Sequence, residues 1–168
     1  YNDERDVAMI NNQQGIRIEM SAAFLDIIEN ALRQGADRGN MTVCHNFYPQ
    51  RYTAPSLEAI DAINEQCSSL GLKTAIFISS QEKGTHGPWP ISDGLPTIED
   101  HRSLPVQVQL KHCIALKNID EVLFGNAYAS EEEMKALKEV MDQAYIHVEE
   151  RTDFGAFSNL LPHGDVVR

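Results

Sequence analysis

The regular exchange of short apolar runs with helix-period segments constrains this chain most. Residues 3–12 read as a helix closed by Gly15, and residues 16–20 (IRIEM) as a strand. Phe24, Leu25, Ile28, Ala31 and Leu32 then mark one face of a helix that Gly35 can end in a left-handed conformation. Residues 41–45 (MTVCH) form the next strand. Ser56 caps a helix with the stripe Ile60, Ile63, Cys67 and Leu70, Gly71 follows it, and residues 73–79 (KTAIFIS) are a buried strand. Thr97 with Asp100, and Ser130 with Glu133, have capping-box spacing. Residues 121–125 (EVLFG) are a strand between those two starts, and residues 145–148 repeat the apolar alternation. Strand and helix in strict succession require right-handed crossovers. The expected class is α/β, with parallel strands alternating with helices.

A chain of 168 residues with 42% hydrophobic side chains can bury a core of this kind. No segment approaches the roughly 20 apolar residues that a membrane helix needs, and the opening YNDERDVAM is too polar for a secretory signal. Lys and Arg number 14 against 25 Asp and Glu, a net charge of −11 that repels phosphate backbones and anionic lipid. Nucleic acid and membrane are therefore not expected partners. Residues 120–168 carry 4 basic against 11 acidic side chains, and much of that excess lies in helix-like text such as SEEEMKALKEVMDQ, which reads as a solvated face. Three widely spaced cysteines, Cys44, Cys67 and Cys113, fit neither a zinc ribbon nor a disulfide scaffold and suit a reducing cytoplasm. Cys44 and Cys67 fall in apolar patterns and read as core residues.

In a parallel sheet, ligands gather where the loops leave the carboxyl ends of the strands. Those loops hold the uncommon residues here: NFYPQRYTAPS, the long SQEKGTHGPWPISDGLPTIEDHR, and GNAYASEEE. The opposite connections are plain Gly and polar turns. The stretch 80–96 is longer than structureless loops usually run and reads as a lid. It carries Trp89, the single tryptophan, which either stacks on a sugar ring or packs the loop down. His45, Asn46, Tyr48 and Arg51 gather donors, an aromatic ring and a fixed cation at one strand end. Arg51 can grip a phosphate or carboxylate bidentately, or pair with a neighbouring acid. Glu99, His101 and Arg102 follow Thr97, so a helix start there would offer free amides to an anion, with Glu99 otherwise a favourable first-turn acid. Glu19 ends the first strand on the same face as Arg17, either paired with it or free to act as acid, base or nucleophile, and Asp93 in the lid is a second carboxylate. The six histidines are scattered and no Walker or dinucleotide loop occurs, so neither metal nor cofactor is expected.

The segments CHNFYPQRYTAPS, AIFIS, GPWPISDGLPTIEDHR and EVLFGNAYASEEEMKAL, in this order, resemble the 6-phospho-N-acetylmuramidase family over most of residues 1–150. HNFYP with the following YT and S, and GLPT followed by E and HR, carry the resemblance most specifically. It implies a TIM-barrel domain followed by a cyclophilin-like β domain, and cytoplasmic hydrolysis of 6-phosphorylated N-acetylmuramic acid glycosides in cell-wall recycling. On that analogy residues 1–143 are the C-terminal half of a TIM (β/α)8 barrel, and residues 144–168 are a linker and the start of the second domain. Carried over by motif, the site comprises His45, Asn46, Tyr48 and Arg51, together with Gly94, Glu99, His101 and Arg102. Trp89 and Asn126 join these as binding residues, with Glu19 and Glu99 as the catalytic carboxyls. The chain departs from the family pattern at Gln50-Arg51, where Arg-Pro is common, at Met20-Ser21-Ala22 in place of Asn-Ala-Ser, and at Asn126 in place of Asp.

The expected ligand is a phosphorylated amino sugar. Four strands cannot close a barrel of eight, so the two sheet edges call for a homo-oligomer or for the missing half-barrel. A noncatalytic phosphosugar-binding protein and a different sugar-phosphate barrel enzyme are the competing readings. An aldolase would need a Schiff-base lysine at a strand's carboxyl end, whereas Lys73 stands at a strand start.

Overall fold

Apolar residues at every second strand position, matched by helices with one apolar stripe, make a sheet that buries one face under helices. The computed structural model describes residues 4–13, 16–89 and 93–143. Its elements run α1 (Glu4–Asn11), β1 (Ile18–Ser21), α2 (Leu25–Arg33), β2 (Met41–Cys44), α3 (Leu57–Ser69), β3 (Lys73–Ile78), α4 (Val106–Ala115), β4 (Glu121–Phe124) and α5 (Glu131–Gln143). The four strands are parallel and lie in chain order, β1-β2-β3-β4. This is the α/β arrangement of half a TIM barrel. Asp3, Gly15, the alternation at 145–148 and the linker and second-domain assignment of 144–168 lie outside the described residues.

Strand parity divides the side chains cleanly. Ile18 and Met20 of β1 and Met41 and Val43 of β2 point to the helices and pack with Val7, Ile28, Ala31 and Cys67. Ile76 and Ile78 of β3 do the same against Ile60, Val106 and Cys113, with Val122 and Phe124 of β4 beside them. Each such Ile or Val, taken fully out of water, contributes about 1.5–3 kcal/mol. The other face carries Glu19, Thr42, Cys44, Ala75, Phe77, Glu121 and Leu123, which register places together. There Arg17 donates from Nε to Thr42 Oγ1 at 3.0 Å and pairs with Glu121 of β4. In a flat sheet the first and fourth strands stand about 14 Å apart, a span two extended side chains barely bridge. Their contact across β2 and β3 marks this face as the concave one. Arg17 is thus paired at the floor, and Glu19 is left exposed without it.

Several local signals act as the sequence indicates. Gly35 and Gly71 close α2 and α3 at φ +91° and +70°. Ser56 Oγ accepts the Ala59 N–H. Ser130 and Glu133 form a reciprocal capping box, with Glu133 N–H on Ser130 Oγ at 3.2 Å and Ser130 N–H on Glu133 Oε2 at 3.3 Å.

Thr97 and Asp100 do not cap a helix. Residues 99–103 form a separate 3-10 turn, and α4 starts only at Val106, after Pro105. The cause is a wedge. The β2–β3 ladder ends at Cys44 and Ala75, and residues 95–97 fill the opening beyond it. Thr97 N–H bonds Phe77 O and Thr97 Oγ1 accepts Phe77 N–H, both at 3.0 Å, while Tyr48 N–H bonds Pro96 O at 3.0 Å. On the other side of the wedge, a Cβ on Gly125 would stand 2.1 Å from Leu95 O, so that position tolerates only glycine.

Candidate functional site

The concave face opens at its carboxyl end into a cleft of about 670 Å³. Its floor is set by parity: Glu19 and Ser21 of β1 align with Thr42 and Cys44 of β2, and Asn46 lies one repeat further on. Phe47, Tyr48, Pro49, Phe77 and Trp89 make the walls. Phe47 and Phe77 pack edge to face with ring centroids 5.2 Å apart. Trp89 is 59% exposed, so its ring hangs at the mouth and is not packed down. An aromatic wall over a floor carrying one carboxylate, one hydroxyl and one amide suits the two faces of a sugar ring. The structure therefore brings Glu19, Asn46, Tyr48 and Trp89 into one cleft.

Ser21, Cys44, Phe47 and Phe77 belong to the cleft but were not expected there. Cys44 shares strand parity with Asn46, which is the signal that identifies it. Its thiol is held well above the usual range by burial and by the neighbouring Glu19 carboxylate, so it stays neutral. Burial likewise raises Cys67 to about 11 and Cys113 to about 12, and all three cysteines are free.

The remaining expected residues lie elsewhere. His45 follows Cys44 with opposite parity, so it points into the helix layer, 3% exposed, with Nε2 2.7 Å from Asn64 Oδ1. Burial pulls its pKa below the usual value. It does not reach the cleft.

Arg102 and Glu99 form a structural clamp. Arg102 Nε and Nη2 grip the two Glu99 oxygens at 2.6 and 2.8 Å. Nη1 donates to Tyr48 O (2.8 Å) and Asp93 O (3.2 Å), and Nη2 also donates to Gln50 O (2.6 Å). All five guanidinium hydrogens are thereby used, so Arg102 has none to offer a phosphate. Glu99 Oε1 also accepts Tyr52 N–H at 2.8 Å, and the Arg102 bonds hold its carboxyl at about 2. A carboxyl so low cannot donate a proton near neutrality, and Glu99 is not placed to attack a sugar.

His101, expected at an anion-binding helix start, is completely buried, with Nε2 2.9 Å from His112 Nδ1 and no partner for its own Nδ1. Burial, with the neighbouring His112, lowers it to about 4. A second proton would leave a buried N–H⁺ without an acceptor. The native state thus binds fewer protons than the unfolded chain between about 4 and 6.5, and stability falls with pH across that window. The full loss amounts to about 3 kcal/mol by the time pH reaches 4. The depressed His45 adds to it with the same sign. Urea unfolding at pH 7.5, 6 and 4.5 should show the decline, and His101→Gln should flatten it; an unchanged slope in that variant would assign the acid sensitivity elsewhere.

Gly94 adopts φ +72° with its missing Cβ 2.7 Å from Ser79 Oγ, which makes it a turn residue under the lid. Asn126 is 3% exposed and ties down the lid's base: Oδ1 accepts Ser79 Oγ (3.1 Å) and Ser80 N–H (2.8 Å), while Nδ2 donates to Ser80 O (3.1 Å) and Thr85 Oγ1 (2.9 Å). It borders a second depression of about 640 Å³ instead of the aromatic cleft. A carboxylate there would lack the two donors this arrangement uses. Arg51 pairs through Nε with Asp93 Oδ1 at 2.9 Å; both side chains are partly exposed, and neither lines the aromatic cleft. Among the described residues no three His, Cys, Asp or Glu side chains converge as a metal site, and no helix is long and apolar enough to cross a membrane.

Three comparisons bear on this site. The chain matches, over residues 1–139, the model of a family described as 6-phospho-N-acetylmuramidase, N-terminal. Among solved structures, an uncharacterized protein of B. cereus is 40% identical with a TM-score of 0.73, over 82% of this chain and 40% of that one. A conserved protein of unknown function from Enterococcus faecalis gives a TM-score of 0.73 at 24% identity, over 85% of this chain and 40% of that one, which supports the fold alone. The chain thus spans about 40% of the length of the structures it matches. No curated protein matches it.

Proposed function

Because the chain belongs to the family of 6-phospho-N-acetylmuramidase N-terminal domains, we propose that it supplies the sugar-holding half of a glycosidase site. The substrate on this reading is a 6-phosphorylated N-acetylmuramic acid glycoside, cleaved in the cytoplasm during cell-wall recycling. The observation that carries the reading is the cleft itself, in which the exposed carboxylate of Glu19 lies on the floor beneath Trp89 and Tyr48.

The chemistry follows from those groups. Trp89 and Tyr48 take the apolar face of the ring by stacking, which orients the glycosidic bond toward the strand ends. Glu19 is the acid-base or nucleophilic carboxyl at an oxocarbenium-like transition state. Glycoside hydrolysis takes two carboxyls. Asp93 is the candidate on this chain, and a residue beyond the 40% shared with the matched structures is the other source. With Arg102 and His101 engaged internally, Arg51, a partly exposed cation on the loop after β2, is the candidate for the 6-phosphate, since its pairing with Asp93 uses Nε and leaves both terminal nitrogens to a ligand.

The test is release of reducing sugar from a 6-phospho-N-acetylmuramyl glycoside. Turnover is expected, and a matched substrate without the phosphate should react far more slowly. A second reading, binding of phosphosugar without cleavage, is favoured by the cleft's lining, in which Glu19 is the single carboxylate among the described residues. Binding with no turnover would select that reading, and the absence of both would reject the site.

A further inference from the structure

We propose that Asn126, which stands outside the aromatic cleft, is the positioning residue of Trp89: it pins the strap 81–89 through Thr85 and so fixes where the indole stands over the cleft. The inference deepens the carbohydrate reading and rests on it for the ligand, though not for the geometry.

The anchor grows out of the sheet. The β3–β4 ladder ends at Ile78 and Phe124, and Gly125 N–H adds one further bond to Ile78 O at 2.9 Å. Asn126 then uses its side chain where a longer strand would use its backbone. Oδ1 accepts Ser80 N–H at 2.8 Å and Nδ2 donates to Ser80 O at 3.1 Å, so the two main-chain bonds fix which end of the amide is oxygen. The second Nδ2 hydrogen goes to Thr85 Oγ1 at 2.9 Å. One residue further along each segment, His86 and Ala127 exchange backbone hydrogen bonds as an isolated antiparallel bridge.

The base of the strap is held several times over. Gln109 takes both main-chain groups of Ser79, and Glu133 accepts the Ser80 hydroxyl at 2.6 Å and Gln81 N–H at 2.8 Å. Further out the hold is thin. From Gln81 to Trp89 every residue is exposed except the half-buried Thr85. His86, Gly87 and Pro88 border the second depression on one side, and Trp89 borders the cleft on the other. With open space on both sides, packing does not place the indole. The hydrogen bonds at Thr85 and His86 do, and Thr85 is the point where a side chain of the β4–α5 loop reaches the strap.

Two measurements on the full chain test this. Trp89 is its single tryptophan, so fluorescence anisotropy and acrylamide quenching report the indole alone. Thr85→Val removes the acceptor, keeps the volume and leaves the base of the strap tied. It should lower the anisotropy and raise the quenching, and Thr85→Ser, which keeps the hydroxyl, should restore both. Asn126→Ala should show the same change to a larger degree. In titration calorimetry with N-acetylmuramic acid 6-phosphate, Thr85→Val should weaken binding about 3- to 10-fold, the range of one neutral hydrogen bond. In a Trp89→Ala background the same substitution should cost less than about twofold, because the indole it acts through is gone. Equal losses in both backgrounds would give Thr85 and Asn126 a structural role only and overturn the inference, as would an anisotropy in Thr85→Val equal to that of the wild type. Failure of the wild type to bind the probe would overturn the carbohydrate reading, and the fluorescence comparison would then decide this inference by itself.

Discussion

Replacing Glu19 with Gln should lower kcat toward a 6-phosphorylated glycoside by about 10²–10⁴, the range that a positioned acid or base contributes. The protein should remain as stable as the wild type to within about 0.5 kcal/mol, because Glu19 is exposed and has no ion-pair partner among the described residues. Glutamine keeps the volume and one carbonyl oxygen while removing the proton-transfer and nucleophilic capacity. A fall in kcat with KM nearly constant would identify an interaction made at the transition state. Arg17, two residues earlier on the same face, is turned to Thr42 and Glu121, so it does not draw Glu19 away from the cleft. Rates within about threefold of wild type in E19Q would remove the residue from the chemistry.

The route from sequence to fold was legible where the signal is local. Gly35, Gly71, Ser56 and the Ser130–Glu133 pair each act on backbone groups within four residues, and each does what its spacing implies. Thr97 with Asp100 carries the same spacing as Ser130 with Glu133 and makes no cap. Its hydroxyl goes to Phe77 N–H and Asn46 O, twenty and fifty-one residues away. Nothing in four consecutive residues distinguishes a cap from a wedge between diverging strands.

The site divides along the same line. Glu19 and Asn46 are legible by period-two alternation, and the same rule, continued one residue past Cys44, sends His45 to the helices and Asn64. The motif grouped His45 with Asn46, Tyr48 and Arg51, and parity separates it from the cleft. Arg102 and His101 were illegible for another reason: an arginine saturated by main-chain carbonyls and a histidine answered by a second histidine look, in sequence, like any free cation. Three of Arg102's partners are main-chain carbonyls with no side-chain signature, its fourth, Glu99, reads equally well as a first-turn acid, and the partner of His101 sits on α4.

That saturation makes Arg102 the residue whose loss should cost the fold most. Its side chain is 3% exposed, and Arg102→Met would keep much of its bulk while taking the cation from Glu99, which retains Tyr52 N–H, and the donors from the carbonyls of Tyr48, Gln50 and Asp93. Breaking a buried, hydrogen-bonded ion pair typically costs about 3–5 kcal/mol, and with Glu99 partly exposed the loss here should fall at the lower end, still a large share of the stability of a domain of this size. Arg102→Lys should recover little, because one ammonium cannot serve a bidentate carboxylate and three carbonyls pointing at a planar fork. Urea unfolding followed by Trp89 fluorescence measures both effects, and a loss under about 1 kcal/mol in R102M would refute the clamp. The same variant ties the fold to the site. Tyr48 O, Gln50 O and, through Glu99, Tyr52 N–H are all held by this one guanidinium. The loop that lends the cleft Tyr48 and Pro49 should therefore slacken before the sheet does, so that under native conditions ligand affinity falls in R102M while the β1–β4 core stays closed.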